Sequence, residues 1–94
     1  MGADVVVVDN AGERRFEAFV DGSFAGSCAY VLEGGVLTLP HTKVEAAFEG
    51  RGLGAALARF ALGRARDGGF SVVPACSFIA AFIERHSEYS DLVG

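Results

Sequence analysis

Apolar positions follow two regimes along the chain. From Val5 to Val44, short runs rich in Val, Leu, Phe and Tyr are broken by "DNAG", by Asp21-Gly22 and by Gly34-Gly35. Asp-Gly and Gly-Gly between such runs favour the positive φ angles of primed hairpin turns. The first half is therefore expected to be an antiparallel meander of about four strands. From Gly52 the period changes: Leu53, Ala56, Leu57, Phe60 and Ala61 share one helical face, and Arg59 and Arg66 point elsewhere. Gly68-Gly69 supplies the helix stop, and Arg64 and Arg66 occupy the last turn, where the helix dipole favours cations.

"FSVVPA", Phe70 to Ala75, reads as a buried strand that must splay near Pro74, which has no amide to give to a ladder. Ser77 is placed to cap a second helix through "SFIAAFIERH". Its Phe78/Phe82 and Ile79/Ile83 pairs leave little polar face, so it is expected to be largely buried, with His86 closing it before a strand-like tail. The order of elements predicts an α+β fold on a mixed sheet. A crossover helix between the fourth and fifth strands makes that pair parallel and the connection right-handed.

Ninety-four residues suffice for one domain, 1–94, with one core, and are too few for two. With 51% apolar and 21% charged residues, the chain is expected to form a compact globule and not a solvated tail. A net charge of -4 with one lysine excludes a general nucleic-acid footprint and suits a small neutral or cationic partner. The longest apolar run, Val5 to Val8, falls far short of a membrane span, and no signal-like segment opens the chain. A cytoplasmic protein without membrane or nucleic-acid partners, a monomer or weak homo-oligomer, is expected. Cys28 and Cys76 have neither disulfide-scaffold density nor CxxC zinc spacing, so each is expected as a free thiol and no metal site is expected.

The densest motif is "FEGRGLGAALARF", Phe48 to Phe60. A Walker loop needs a lysine after its last glycine, and Gly54 is followed by Ala55 and Ala56. Gly50, Gly52 and Ala55 mimic the dinucleotide pattern GxGxxA, but the following strand ends in Pro74-Ala75-Cys76 where that site requires an acid. One glycine would serve a simple turn before a helix. Three so close together point to backbone N–H groups that approach an anion at a helix N-terminus.

The stretch "HTKVEAAFEGRGLGAALARFALGRARDGGFSVVPACSFIAAFIERHSEYSDLV" resembles the C-terminal part of the minimal members of the GNAT superfamily, the acyl-CoA-dependent N-acyltransferases. These carry an HT-x-V strand, an [RE]-G-x-G-[IL]-G turn and a V-x-P-x-C-x-[FY] segment, in this order. The resemblance implies acetyl-CoA as donor, with its pyrophosphate on the backbone of Glu49, Gly50, Arg51, Gly52, Leu53, Gly54 and Ala55. It also implies that the pantetheine arm pairs with backbone near Lys43, Val44 and Glu45, in a gap between separating strands. The chain departs from the pattern twice. Glu49 opens a turn that elsewhere in the superfamily starts with Gln or Arg, and Lys43 replaces the glutamate of HTEV.

N-acyl transfer needs a deprotonated amine, a donor for the developing oxyanion and a proton for the leaving thiolate. Cys76 precedes a predicted helix whose dipole favours a thiolate, so it is a candidate nucleophile or acid, or else a small packing residue. His41 can titrate near neutral pH as a base, or simply hydrogen-bond across the sheet. Cys28, Tyr30, Tyr89 and His86 are explained by packing or helix closure. Among the arginines, Arg51 is the phosphate candidate, and 14, 15, 59, 64 and 66 are expected on solvated faces. The expected activity is acetyl transfer to a primary amine, a small molecule or a lysine side chain, directly or through Cys76. The alternative is a CoA-binding or partner-binding module with little catalysis.

Overall fold

The computed structural model describes residues 4–94. Its strands are β1 (Val5–Asn10), β2 (Arg15–Val20), β3 (Ser23–Ala29), β4 (Val31–Glu33), β5 (Val36–Thr38), β6 (Thr42–Val44) and β7 (Ser71–Val73). Helix α1 (Leu53–Gly68) joins β6 to β7, helix α2 (Ser77–Arg85) follows, and 3-10 turns cover Ala46–Phe48 and Ser87–Leu92. The fold is α+β, with the expected meander, helix, parallel strand and short second helix. Six strands precede α1 instead of four, because two long strands are interrupted, at Tyr30 and at Leu39–His41. The interruptions split the strands between two sheets, ordered β1-β2-β3-β6 and β4-β5-β7.

Two of the three expected turns fall where the glycines place them. Asp21-Gly22 has φ of 50° and 85°, and Gly34-Gly35 has 57° and 78°, the paired positive values that primed turns need. The first turn lies later than "DNAG". Asp9 and Asn10 still pair in β1, and the reversal uses Ala11–Arg14, where the Asn10 carbonyl accepts the Glu13 N–H at 3.1 Å.

Helix α1 packs on β2 and β3 and buries Leu53, Leu57, Ala58, Ala61, Leu62 and Ala65. Each buried leucine stabilises by about 1.5–3 kcal/mol. The buried stripe is rotated from the expected face, with Ala58 and Ala65 inside and Ala56 and Phe60 on the flank. Alanines against the sheet bring the helix close, while Phe60 packs edge-on to Phe16 at 5.4 Å. The helix ends as expected: Gly69 is left-handed (φ 71°), and the Phe70 N–H returns to the Ala65 carbonyl at 2.8 Å.

Three expectations for the C-terminal part are corrected. Strand β7 covers Ser71–Val73 only, and Val72 alone is buried, because just one side of this strand faces the core. In α2 the N-cap is Cys76 instead of Ser77, and only Ile79, Phe82 and Ile83 are buried. Phe78 remains 43% exposed, so one face of α2 is open. The tail is a 3-10 turn, joined to the sheet by a single parallel bridge from Val93 to Val72.

The parallel pair is β5 with β7, in the register Val36–Ser71, Leu37–Val72 and Thr38–Val73. Just beyond it the two chains fork. The Leu39 N–H donates to Val73 O (3.0 Å), and the Cys76 N–H donates to Leu39 O (2.9 Å). Between these bonds the Ala75 N–H folds back onto Val73 O (3.0 Å), making a tight turn around Pro74. Past the fork, β6 pairs among the described residues only with β3, while the other branch becomes α2. Both prolines of the chain, Pro40 and Pro74, stand at this fork, where a missing amide donor ends a ladder without cost.

Candidate functional site

The glycine turn ends in an open helix N-terminus. Gly50 and Gly52 have φ of 81° and 75°, values that a residue with a Cβ adopts only under strain. Gly52 is the N-cap of α1 and, having no side chain, leaves the first-turn amides uncapped. The first intrahelical bond runs from Ala56 N–H to Gly52 O, so the amides of Leu53, Gly54 and Ala55 lack helical acceptors. No acidic residue stands in this first turn. Exposed amides, helix dipole and absent side chains together form an anion seat.

This seat borders a pocket of about 400 Å³ between α1 and α2. Glu49, Gly50, Gly52, Leu53, Gly54 and Ala55 form one wall, and Val44 and Phe48 the floor toward β6. Phe78, Ala81, Phe82, Arg85 and His86 form the other wall, with Arg59 at the rim. The residues at 78, 81, 82 and 85 are one helical face of α2, with Phe82 buried at its base and Phe78 open. Arg59 lies over the Phe82 ring at 5.4 Å, and His86 stacks on the same ring at 4.0 Å. An apolar cleft with cations and free amides at its edges fits a ligand that is anionic at one end and apolar along its length.

Among the described residues, strand β6 borders this region with an unpaired edge. The Glu45 N–H donates to Ala25 O (2.8 Å) and the Ala29 N–H to His41 O (3.0 Å), so residues 41, 43 and 45 turn their backbone groups toward β3. Antiparallel alternation then sends the N–H and C=O of Thr42 and Val44 to the outer edge. The closeness of β6 to β3 depends on Gly26, where a Cβ would lie 2.7 Å from the Lys43 carbonyl oxygen.

Cys76 stands at the fork, as the N-cap of α2. Its Sγ donates to Thr42 Oγ1 at 3.8 Å. Burial pushes this thiol up, but the amide of Ile79, the Thr42 hydroxyl and the amides of Phe78 and Thr42 outweigh it and hold the thiol below its usual range. Neither α2 amide makes a full hydrogen bond to the sulfur. Their approach at a helix N-terminus still favours the ionised form. Cys28, fully buried, behaves oppositely, and burial pushes its thiol up.

The remaining candidates are placed as follows. The His41 side chain is exposed, lies outside the pocket wall and makes no hydrogen bond among the described residues. Lys43 and Glu45 direct their backbone into the β3 ladder, leaving Val44 on the pocket side. Arg51 stacks on Phe48 at 5.4 Å and is not part of the pocket wall. Of the arginines expected on solvated faces, Arg66 holds Asp91 at 2.9 Å and Glu88 O at 2.7 Å, and Arg15 holds Glu17 at 2.7 Å. Arg59, Arg85, Phe78 and Phe82 join the site without any motif to announce them. The i, i+4, i+7 spacing of Phe78, Phe82 and Arg85 was the available signal, and it reads equally as core packing.

The match to known proteins agrees with this architecture. The model of the GCN5-related N-acetyl-transferase family matches residues 15–92, and the chain belongs to that family. Among solved structures, the crystal structure of nourseothricin acetyltransferase shares the fold, with a TM-score of 0.55 and 20% identity over 95% of this chain and 68% of the other. No curated protein sequence matches. No helix among the described residues is long and apolar enough to cross a membrane.

Proposed function

We propose that this protein transfers an acetyl group from acetyl-CoA to a primary amine, with Cys76 as the working thiolate. The observation that carries the reading is the pairing of an uncapped helix N-terminus at Gly52 with a thiol held below its usual range at the neighbouring N-terminus. The family generally draws its acetyl group from acetyl-CoA, which when bound supplies an activated thioester. The amides of the Gly50–Ala55 turn would hold the pyrophosphate, and Arg59 and Arg85 would add positive charge around it. The outer edge of β6, at Thr42 and Val44, would give backbone partners to the amide-bearing arm. Phe48, Phe78 and Phe82 exclude water along the way.

In this reading the Cys76 thiolate accepts the acetyl carbon as the CoA sulfur departs with the bonding pair. The amine then attacks the carbonyl carbon of the acetyl-cysteine, Cys76 leaves as thiolate with the C–S bonding pair, and the amine proton passes to solvent. His41 is assigned no step, because its exposed side chain makes no hydrogen bond among the described residues, whereas Cys76, also outside the pocket wall, is held at the fork by Thr42. The net charge of -4 suits a cationic amine, including lysine, as acceptor. Release of free CoA thiol in the presence of primary amines, compared between wild type and Cys76→Ala, tests the proposal. Intact-mass detection of an acetyl group on Cys76 before amine is added identifies the relay. Full transfer in Cys76→Ala would leave direct attack in its place.

A second reading has its own observation. Glu49 lines the pocket beside the anion seat and opposes a pyrophosphate there. CoA binding without amine-dependent thiol release would make this chain a binding module.

A further inference from the structure

Thr42 stands between the two cysteines of the chain. It is the register partner of Cys28 across β3 and β6, and its Oγ1 lies 3.8 Å from Cys76 Sγ. Both sulfurs are favoured as thiolates by this one hydroxyl, which has a single proton to donate. Burial decides between them. Cys28 is fully buried and already places its own proton on the Ala29 carbonyl at 3.8 Å, so it stays a neutral thiol. Cys76 is half-buried and faces the α2 N-terminus, so its charge is the cheaper of the two.

We propose that Thr42 is a positioning residue whose hydroxyl, free of Cys28, turns from acceptor to donor when Cys76 loses its proton and so holds that sulfur as an oriented thiolate. As a thiol, Cys76 donates to Thr42 Oγ1. On ionisation the proton goes to solvent, the hydroxyl rotates, and its hydrogen points to sulfur. The Thr42 amide, on the outer edge of β6, favours the same charge. Among the described residues no charged group shifts this thiol. His41 and Lys43 flank Thr42 but alternate to the opposite face of the strand, α1 has no acid in its first turn, and Glu84 and Arg85 lie at the far end of α2. This inference rests on Cys76 being the working thiol.

The test is the pH dependence of Cys76 alkylation by iodoacetamide, read by peptide mass in the protein without acyl donor. Thr42→Val keeps the shape and removes the hydroxyl, and alkylation near pH 7 is expected to slow roughly threefold to tenfold, with the profile displaced to higher pH. Thr42→Ser restores the hydroxyl and is expected to stay within about twofold of wild type. An unchanged profile in Thr42→Val, or an equal slowing in Thr42→Ser, overturns the proposal. Should Thr42→Val fail to fold, Thr42→Ala set against Thr42→Ser makes the same distinction. The Cys76→Ala transfer assay is separate: it can remove the role of the thiol while the alkylation profile still shows the effect of Thr42.

Discussion

The two helices of this protein begin in opposite ways. Helix α1 starts at a left-handed glycine that offers no capping atom, so its first amides face the pocket unsatisfied. Helix α2 starts at an extended cysteine whose sulfur lies before its amides. The same positive end is left vacant for an external anion in one helix and given an internal one in the other. The difference rests on one backbone fact. A position at φ 75° favours glycine, which has no side chain to cap with, whereas a β-region residue carries a side chain directed at N2 and N3. Binding and reactivity are therefore separable by mutation.

The strongest way to break the α1 end is Gly52→Val. A β-branched residue in the left-handed region costs about 1–2 kcal/mol or more, which the turn sheds by leaving the conformation that aims its amides, so CoA affinity by calorimetry is expected to fall at least ~fivefold. Cys76 alkylation is expected to stay at its wild-type rate, and a parallel loss there would show that the two ends are not independent. Gly26→Ala strikes the strand that both ends share, because its Cβ meets the Lys43 carbonyl. Denaturant unfolding is expected to show a loss of about 1–3 kcal/mol, with both binding and alkylation weakened.

Cys76→Ser sharpens the α2 end, since serine is a good N-cap with a far higher pKa. Stability is expected to hold or rise by a few tenths of a kcal/mol, and CoA affinity to stay within about twofold, while transfer is lost. Retained transfer would reduce Cys76 to a cap. The smallest effect belongs to Asp91, held by Arg66 beyond the far end of α1. The Arg66 guanidinium keeps this carboxyl below the usual range. A lowered folded pKa adds stability above the unfolded value and loses it as pH falls through the folded one. Asp91→Asn is thus expected to melt slightly lower than wild type at neutral pH, and the gap to close in acid.

These two helix starts were unequally legible. Glycine spacing marked the α1 N-terminus as an anion seat, because positive φ and missing side chains are written in residue type. The fork could be anticipated from Pro74, whose missing donor is equally local, but its second branch at Pro40 breaks a strand in a way that periodicity does not reveal. Cys76 was visible as a candidate, and its place as N-cap was not, since Ser77 is the stronger capping residue by propensity. Tertiary pairing decided: the Cys76 N–H is taken by Leu39 O, which fixes Cys76 in extended backbone and starts the helix after it. His41 and Arg51 were attractive by type and displaced by geometry, one through strand alternation and one by stacking on Phe48. Arg59 entered from a helix face that sequence alone assigns to solvent, and Arg85 from a helix expected to be largely buried.

Calorimetric titration of CoA into wild type and Gly52→Val tests the central claim most directly, because every functional reading depends on the vacant N-terminus of α1. Saturable binding of one CoA at micromolar concentration in wild type, lost or weakened at least ~fivefold in the variant, is the predicted result. Heats in wild type no different from dilution, or equal affinity in both proteins, would contradict it.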